Sequence, residues 1–296
     1  MDIFAHSGYR DYVWAVELNR YGLEFVGLWP KTDDAVNSAV SDIRALVTFI
    51  LVAFFCFIPL LCSLVRVWTD MILIIDNLQA TLPVGVILLK LIVMWWKQKG
   101  VLLILRMIAE DWIEVKLNAE RDVMIRRARS ARLIVICGYL SMLFAYIMII
   151  ILPAFGLHYR YITNFTDGDR QLPLQTHYFY DTNKSPQFEL TLAAQALSIF
   201  LGVIAYASVN AFFGLTIFHI CGQLENFKRK LLTLISNNNF DCALRNNVKI
   251  HLRLIISGND TNNIPFSRKC FQVLVVIILL SYTFLYCAAG EFVTEQ

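Results

Sequence analysis

Hydrophobic positions gather into five stretches, centred on Leu46–Val65, Leu82–Trp96, Leu133–Phe155, Leu197–Cys221 and Phe271–Gly290, with most polar positions in the segments between them. The first is about twenty residues without a charge, matching the roughly 20 helical residues needed to cross about 30 Å of hydrocarbon. Inside lipid only helices and closed barrels satisfy every backbone polar group, and these runs are too long and too uniformly apolar for barrel strands. The pattern predicts an all-α integral membrane protein, a helical bundle with about five transmembrane helices forming one membrane domain over residues 1–296. Its expected parts are an N-terminal segment (1–45), the first and second transmembrane helices (46–96), an amphipathic helix (97–132), the third helix (133–155), a loop (156–189), the fourth helix (190–221), a second long loop (222–269) and a last helix (270–290). The amphipathic helix is read from Val101, Leu105, Ile108, Trp112 and Val115, which recur at three- and four-residue steps while Arg106, Glu110, Asp111, Glu114 and Lys116 take other faces. Its stripe is expected to pack against neighbouring helices or a partner subunit, the alternative being a helix lying in the membrane plane.

Composition agrees, with 57% of residues hydrophobic, 17% charged and a mean hydropathy of +0.57. The opening MDIFAHSGYRDYVWAVELNRYG has no short apolar core or small-residue cleavage site, so it does not read as a signal peptide and insertion is expected to start from the first spanning helix.

Charge adds orientation, because loops rich in Lys and Arg stay cytoplasmic. Nine such residues fall between Lys97 and Arg132, including Arg126, Arg127, Arg129 and Arg132, eight between Gly222 and Lys269, and three between Gly156 and Glu189. The N-terminus is therefore expected inside and 156–189 outside. Two candidate glycosylation sequons, at Asn164 and Asn183, lie in that outer loop, while a third at Asn259 falls on the inner side where it is unusable. None of the seven cysteines lies in the outer loop, so no extracellular disulfide is expected. Both features count against a rhodopsin-like receptor. The basic cluster reads as a topology signal in contact with anionic lipid, not as a nucleic-acid site.

Charges at membrane depth face a cavity, a partner or the interface. Asp70 and Asp76 are expected to mark the outer end of the second helix, and Lys90 is expected to snorkel toward the inner interface. Pro59 and Pro83 are expected to kink their helices. HExxH, GxSxG, Walker, CxxC and glycine-rich dinucleotide motifs are all lacking, and the five histidines are scattered, so neither an enzyme nor a metal or cofactor site is expected.

Particular strings say more: WAVELNRYGLEFVGLWP at Trp14–Pro30, an amphipathic helix ending in Gly-Leu-Trp-Pro, LPLQTHYFYDTNKSPQFEL at Leu172–Leu190, HICGQLENFKRKL at His219–Leu231 and FLYCAAGEFVTEQ at Phe284–Gln296. In content, order and spacing the chain resembles the insect odorant receptor family over nearly its whole length, most closely the receptors of ants, bees and wasps. The resemblance implies a seven-helix, odorant-gated cation channel in the plasma membrane of olfactory neurons, a heterotetramer with a shared co-receptor subunit, and a ligand pocket in the outer half of the bundle. It implies a pocket drawing on Ile72, Ile75, Tyr146, Ile150, Gln195, Ile199, Phe271 and Val275, with Tyr146 or Gln195 offering a hydrogen bond to a small volatile ligand. The chain departs from the family in two places. After IHLRLI at Ile250–Ile255 the polar stretch SGNDTNNIPFSRK stands where the family has a fifth helix, and the sequence stops at Gln296 where the family continues into its pore-lining seventh. A nonconducting fragment or pseudogene product is therefore the alternative expectation. A gustatory receptor shares the inside N-terminus, and a small transporter would favour an internal repeat that is not found.

Overall fold

In this computed structural model the described residues are 2–30, 35–69, 71–114, 117–154, 172–174 and 176–235. Every regular element among them is helical: α1 (Asp2–Phe25), α2 (Ala35–Val52), a π-turn (Ala53–Phe57), α3 (Ile58–Arg66), α4 (Met71–Trp96), α5 (Gln98–Glu114), α6 (Asn118–Ala154) and α7 (Gln187–Ile235). Four helices among the described residues are long and apolar enough to cross a membrane: Ala39–Arg66, Leu73–Trp96, Asn118–Ile151 and Gln187–Lys230. The chain is an all-α integral membrane protein. The last apolar stretch, Phe271–Gly290, lies outside the described residues.

The helices run past the apolar stretches that announce them. The second begins at Met71, because the polar residues that interrupt its hydropathy are satisfied within the helix. Thr81 Oγ1 donates back to the Asn77 carbonyl at 2.9 Å and meets Asn77 Oδ1 at 2.8 Å, with Asn77 fully buried. The basic cluster Arg126–Arg132 belongs to α6 itself, while Val101, Leu105, Ile108 and Trp112 of the amphipathic stripe lie in the separate α5 and Val115 lies outside the described residues. Of that stripe, Val101, Leu105, Ile108 and Trp112 are buried, and α1 packs along α5.

At 1.5 Å per residue α6 and α7 are about 55 and 73 Å long, far more than about 30 Å of hydrocarbon. They pack antiparallel: Arg127 meets Glu225 at 2.8 Å, Tyr139 Oη meets Ser208 Oγ at 2.9 Å, and the Tyr146 and Phe200 rings meet edge to face at 5.5 Å. At the arginine-rich end Glu225 also pairs with Arg126 at 2.5 Å, and Lys230 with Glu120 at 3.0 Å. Toward the other side α6 is nearly bare: 6% of its most apolar window is buried, and Leu133, Leu140 and Phe144 are exposed. Lipid tails are the solvent that such a surface suits.

The core forms around α7. Ala205, Val209, Phe212 and Leu215 join Val16, Leu23 and Val26 of α1 and its C-terminal end, Val52 of α2, Leu88, Leu91 and Met94 of α4, and Leu105 of α5. How α1 ends is a backbone matter. Gly27 takes φ +75°, and the Leu28 N–H returns to the Leu23 carbonyl at 2.7 Å, a Schellman closure that only glycine enters without strain. A Cβ there would also lie 2.2 Å from the Ser41 carbonyl oxygen, so α1 and α2 meet across a hydrogen atom.

Gly22 is equally constrained by space. A Cβ on it would sit 2.0 Å from Tyr139 Oη and 2.5 Å from Ser208 Oγ, within the hydroxyl pair that joins α6 to α7. Gly22→Ala is expected to cost about 2 kcal/mol of stability through overpacking. Thermal unfolding of the purified chain in nanodiscs checks this, and an unchanged midpoint would mean that α1 does not wedge against that pair.

Candidate functional site

One proline organises the end of the bundle where α7 begins. Pro59 has no N–H to give the carbonyl four residues earlier, at Phe55, and its ring crowds that carbonyl. The helix responds with the π-turn at Ala53–Phe57. The freed Phe55 carbonyl accepts the Tyr178 hydroxyl at 2.7 Å, and the Pro59 carbonyl accepts the His177 N–H at 3.1 Å. The non-helical segment before α7 is thereby strapped onto the π-turn and α3. Burial pushes the Tyr178 phenol above its ordinary range, which keeps it a protonated donor.

Gln195, with no exposed surface, is the anchor of the strap on α7. Its Nε2 donates to Thr176 Oγ1 at 2.7 Å and to Tyr178 Oη at 2.9 Å. Proton accounting fixes which way the amide points. Tyr178 has one hydroxyl proton, given to Phe55, and Thr176 gives its own to the Leu174 carbonyl at 3.2 Å. Toward Gln195 both oxygens therefore accept, so the amide atom facing them is the NH2. That leaves Gln195 Oε1, which is buried with no hydrogen-bond partner among the described residues. An unmet buried acceptor costs roughly 1–3 kcal/mol. Nearby, Tyr180 Oη and Thr191 Oγ1 meet at 2.7 Å, and the ring centres of Tyr178 and Tyr180 lie 5.2 Å apart.

The residues that the sequence offers for the pocket are partly assembled here. Gln195 and Ile199 share a face of α7, one turn apart, with Ile199 half-buried. Tyr146 is half-buried and contacts α7 through Phe200. Among the described residues no hydrogen bond or ring contact joins Tyr146 to Gln195. Ile75 on α4 and Ile150 on α6 are half-buried, and Ile72 lies in α4 with its side chain outside the described set. Phe271 and Val275 lie outside the described residues, as does Asn164; Asn183 sits in an exposed turn, its N–H on Asp181 Oδ1 at 3.0 Å.

Lys90 corrects an expectation. It does not snorkel: it is 6% exposed, with Nζ donating to Asn210 Oδ1 at 2.6 Å and lying 3.7 Å from the centre of the Tyr206 ring. Among the described residues no carboxylate pairs with it. The reason is that α7 presents Tyr206 and Asn210 one turn apart, an acceptor and a π face that replace water locally. Reading the sequence also missed Thr176, Tyr178 and Tyr180. Their signal was the every-second-residue spacing in THYFY, which puts the three on one side of a non-helical strand and leaves Phe179 outward.

A small crevice lined by Trp112, Met124, Arg127 and His219 lies elsewhere. His219 is 24 residues beyond Gln195, about 36 Å along α7. Its Nε2 meets Asp111 at 3.0 Å, so it fastens α5 to α7 at the arginine-rich end. Among the described residues no group of His, Cys, Asp and Glu is placed to hold a metal ion.

No curated protein matches this chain. Among solved structures it is similar to the olfactory receptor OR5 of Machilis hrabei, with 15% identity and a TM-score of 0.63, over 94% of this chain and 70% of that one. The same figures hold for that receptor in complex with eugenol. At such identity the likeness establishes the fold alone. Over residues 70–295 the sequence matches the family model described as 7tm Odorant receptor. Since that match takes in most of the chain, from the start of α4 onward, the protein belongs to the odorant receptor family.

Proposed function

We propose that this protein is the ligand-binding subunit of an odorant-gated cation channel, formed with a shared co-receptor in the plasma membrane of olfactory sensory neurons and responding to small volatile molecules. Membership in the family carries the reading. The N-terminus is cytoplasmic in this reading, since the cluster Arg126–Arg132 and the paired ends of α6 and α7 suit the inner side, and the strap with Asn183 then faces out. The ligand site lies at the strapped end, with Gln195 and Tyr146 as its polar members and Ile72, Ile75, Ile150, Ile199, Phe271 and Val275 as its apolar ones. A mostly apolar cavity with few convergent polar groups is what a volatile ligand needs. That eugenol binds the similar Machilis receptor favours a ligand of this size.

Co-expression of the chain with a co-receptor in oocytes, under voltage clamp against a panel of volatiles, tests the reading. Currents beyond those of the co-receptor alone are expected for some panel members. If none exceeds that background while the chain is present at the cell surface, the channel-subunit reading is wrong.

A further inference from the structure

We infer that Gln195 Oε1 is the polar contact of the ligand site, and that the site selects hydroxyl donors on an apolar body, alcohols and phenols, over their methyl ethers, esters and ketones. The inference rests on the ligand-binding reading above and adds the chemical class that the site takes.

Because Pro59 lacks an N–H, the Phe55 carbonyl draws the proton of Tyr178, and that turns the phenol oxygen into an acceptor toward Gln195. Thr176 is an acceptor toward Gln195 for the same reason, its proton lying on Leu174. Both amide protons of Gln195 are thus committed, and turning the amide over would take the Tyr178 proton away from the Phe55 carbonyl and leave that carbonyl unmet. What remains is a single carbonyl oxygen, fully buried and unmatched among the described residues. It accepts and does not donate. A ketone, ester or ether brought to it sets one acceptor against another, whereas a hydroxyl completes it.

Beyond this atom the same side of α7 turns apolar. Gly202, two turns on from Gln195, has Ile87 of α4 and Val52 of α2 within 3.7 Å of where its Cβ would stand. A ligand with one donor at its end and a hydrocarbon body suits that sequence of surfaces. Sites built around a hydrogen bond discriminate strongly against analogues that lack it, because the site's own group is then left unpaired.

Matched probes make this measurable. Phenylethanol against its methyl ether, and hexanol against methyl pentyl ether, are titrated into the purified chain in nanodiscs, with apparent Kd taken from concentration-dependent thermal stabilisation. Partition into lipid or into an undifferentiated apolar cavity favours the ethers, so the order of affinity carries the signal. We expect the alcohols to bind at least tenfold more tightly, and Gln195→Met to bring each pair within about twofold. Ethers binding as well as alcohols would overturn the inference and leave the receptor reading standing, the acceptor being met by water. A preference that survives Gln195→Met would overturn the assignment to Gln195. If no probe stabilises the wild-type chain, and a wider volatile panel also fails, the ligand-binding reading falls and takes this inference with it. The wild-type comparison stands even if Gln195→Met loosens the strap.

Discussion

Asn210→Leu is expected to destabilise the bundle by about 4 kcal/mol, the largest loss of any single change considered. Asn210 Oδ1 is the hydrogen-bond acceptor for the buried Lys90 ammonium, which among the described residues otherwise has only the face of Tyr206. Removing the acceptor leaves a cation at membrane depth that is neither hydrated nor paired. The reverse change is mild: Lys90→Met removes the charge along with its need, leaves a neutral amide unmatched, and is expected to cost about 1 kcal/mol. Combining the two is expected to recover most of the loss, which makes the pair strongly non-additive. Thermal unfolding of the three variants in nanodiscs measures it. Equal costs for the two single changes would show that Lys90 reaches water after all.

Tyr178→Phe is expected to cost about 3 kcal/mol, because it strands two buried groups at once, the Phe55 carbonyl and one N–H of Gln195. The loss is local, so hydrogen exchange reads it best. The His177 N–H, which closes on the Pro59 carbonyl, is expected to exchange at least tenfold faster. Phe179→Ser, one residue on at an 87% exposed position, is expected to leave exchange unchanged. Pro59→Ala added to Tyr178→Phe is expected to restore part of the stability, since alanine returns the N–H that the Phe55 carbonyl lacks. If that double variant gains nothing, the π-turn has a cause other than the missing donor.

Much of the architecture was legible because lipid imposes one rule on every residue that it touches. A run such as Leu46–Val65 has a single stable form in hydrocarbon, so hydropathy reports the span directly. Element bounds were less legible. The second apolar stretch is centred on Leu82–Trp96, yet Thr81 folds back on Asn77 and the helix already begins at Met71. Asn118 to Arg132 reads as the second half of the amphipathic helix 97–132, yet it belongs to α6, where Arg126 and Arg127 find Glu225 on α7. Gln195 was legible as a polar residue in an apolar span, but not as a donor already committed.

The membrane environment, the spanning stretches, the family strings and the amphipathic stripe of α5 are all readable from the order of residues. Each depends on local composition and period, which the chain carries whatever its fold. Long-range packing alone sets Lys90 against Asn210 and not toward the interface, gives the Phe55 carbonyl freed by Pro59 to the Tyr178 hydroxyl, and selects which atom of Gln195 is left over. These depend on partners up to 123 residues apart, as Tyr178 and Phe55 are. A proton shared between such partners has no local signature, because the direction of each hydrogen bond is set by what its neighbour has already given away.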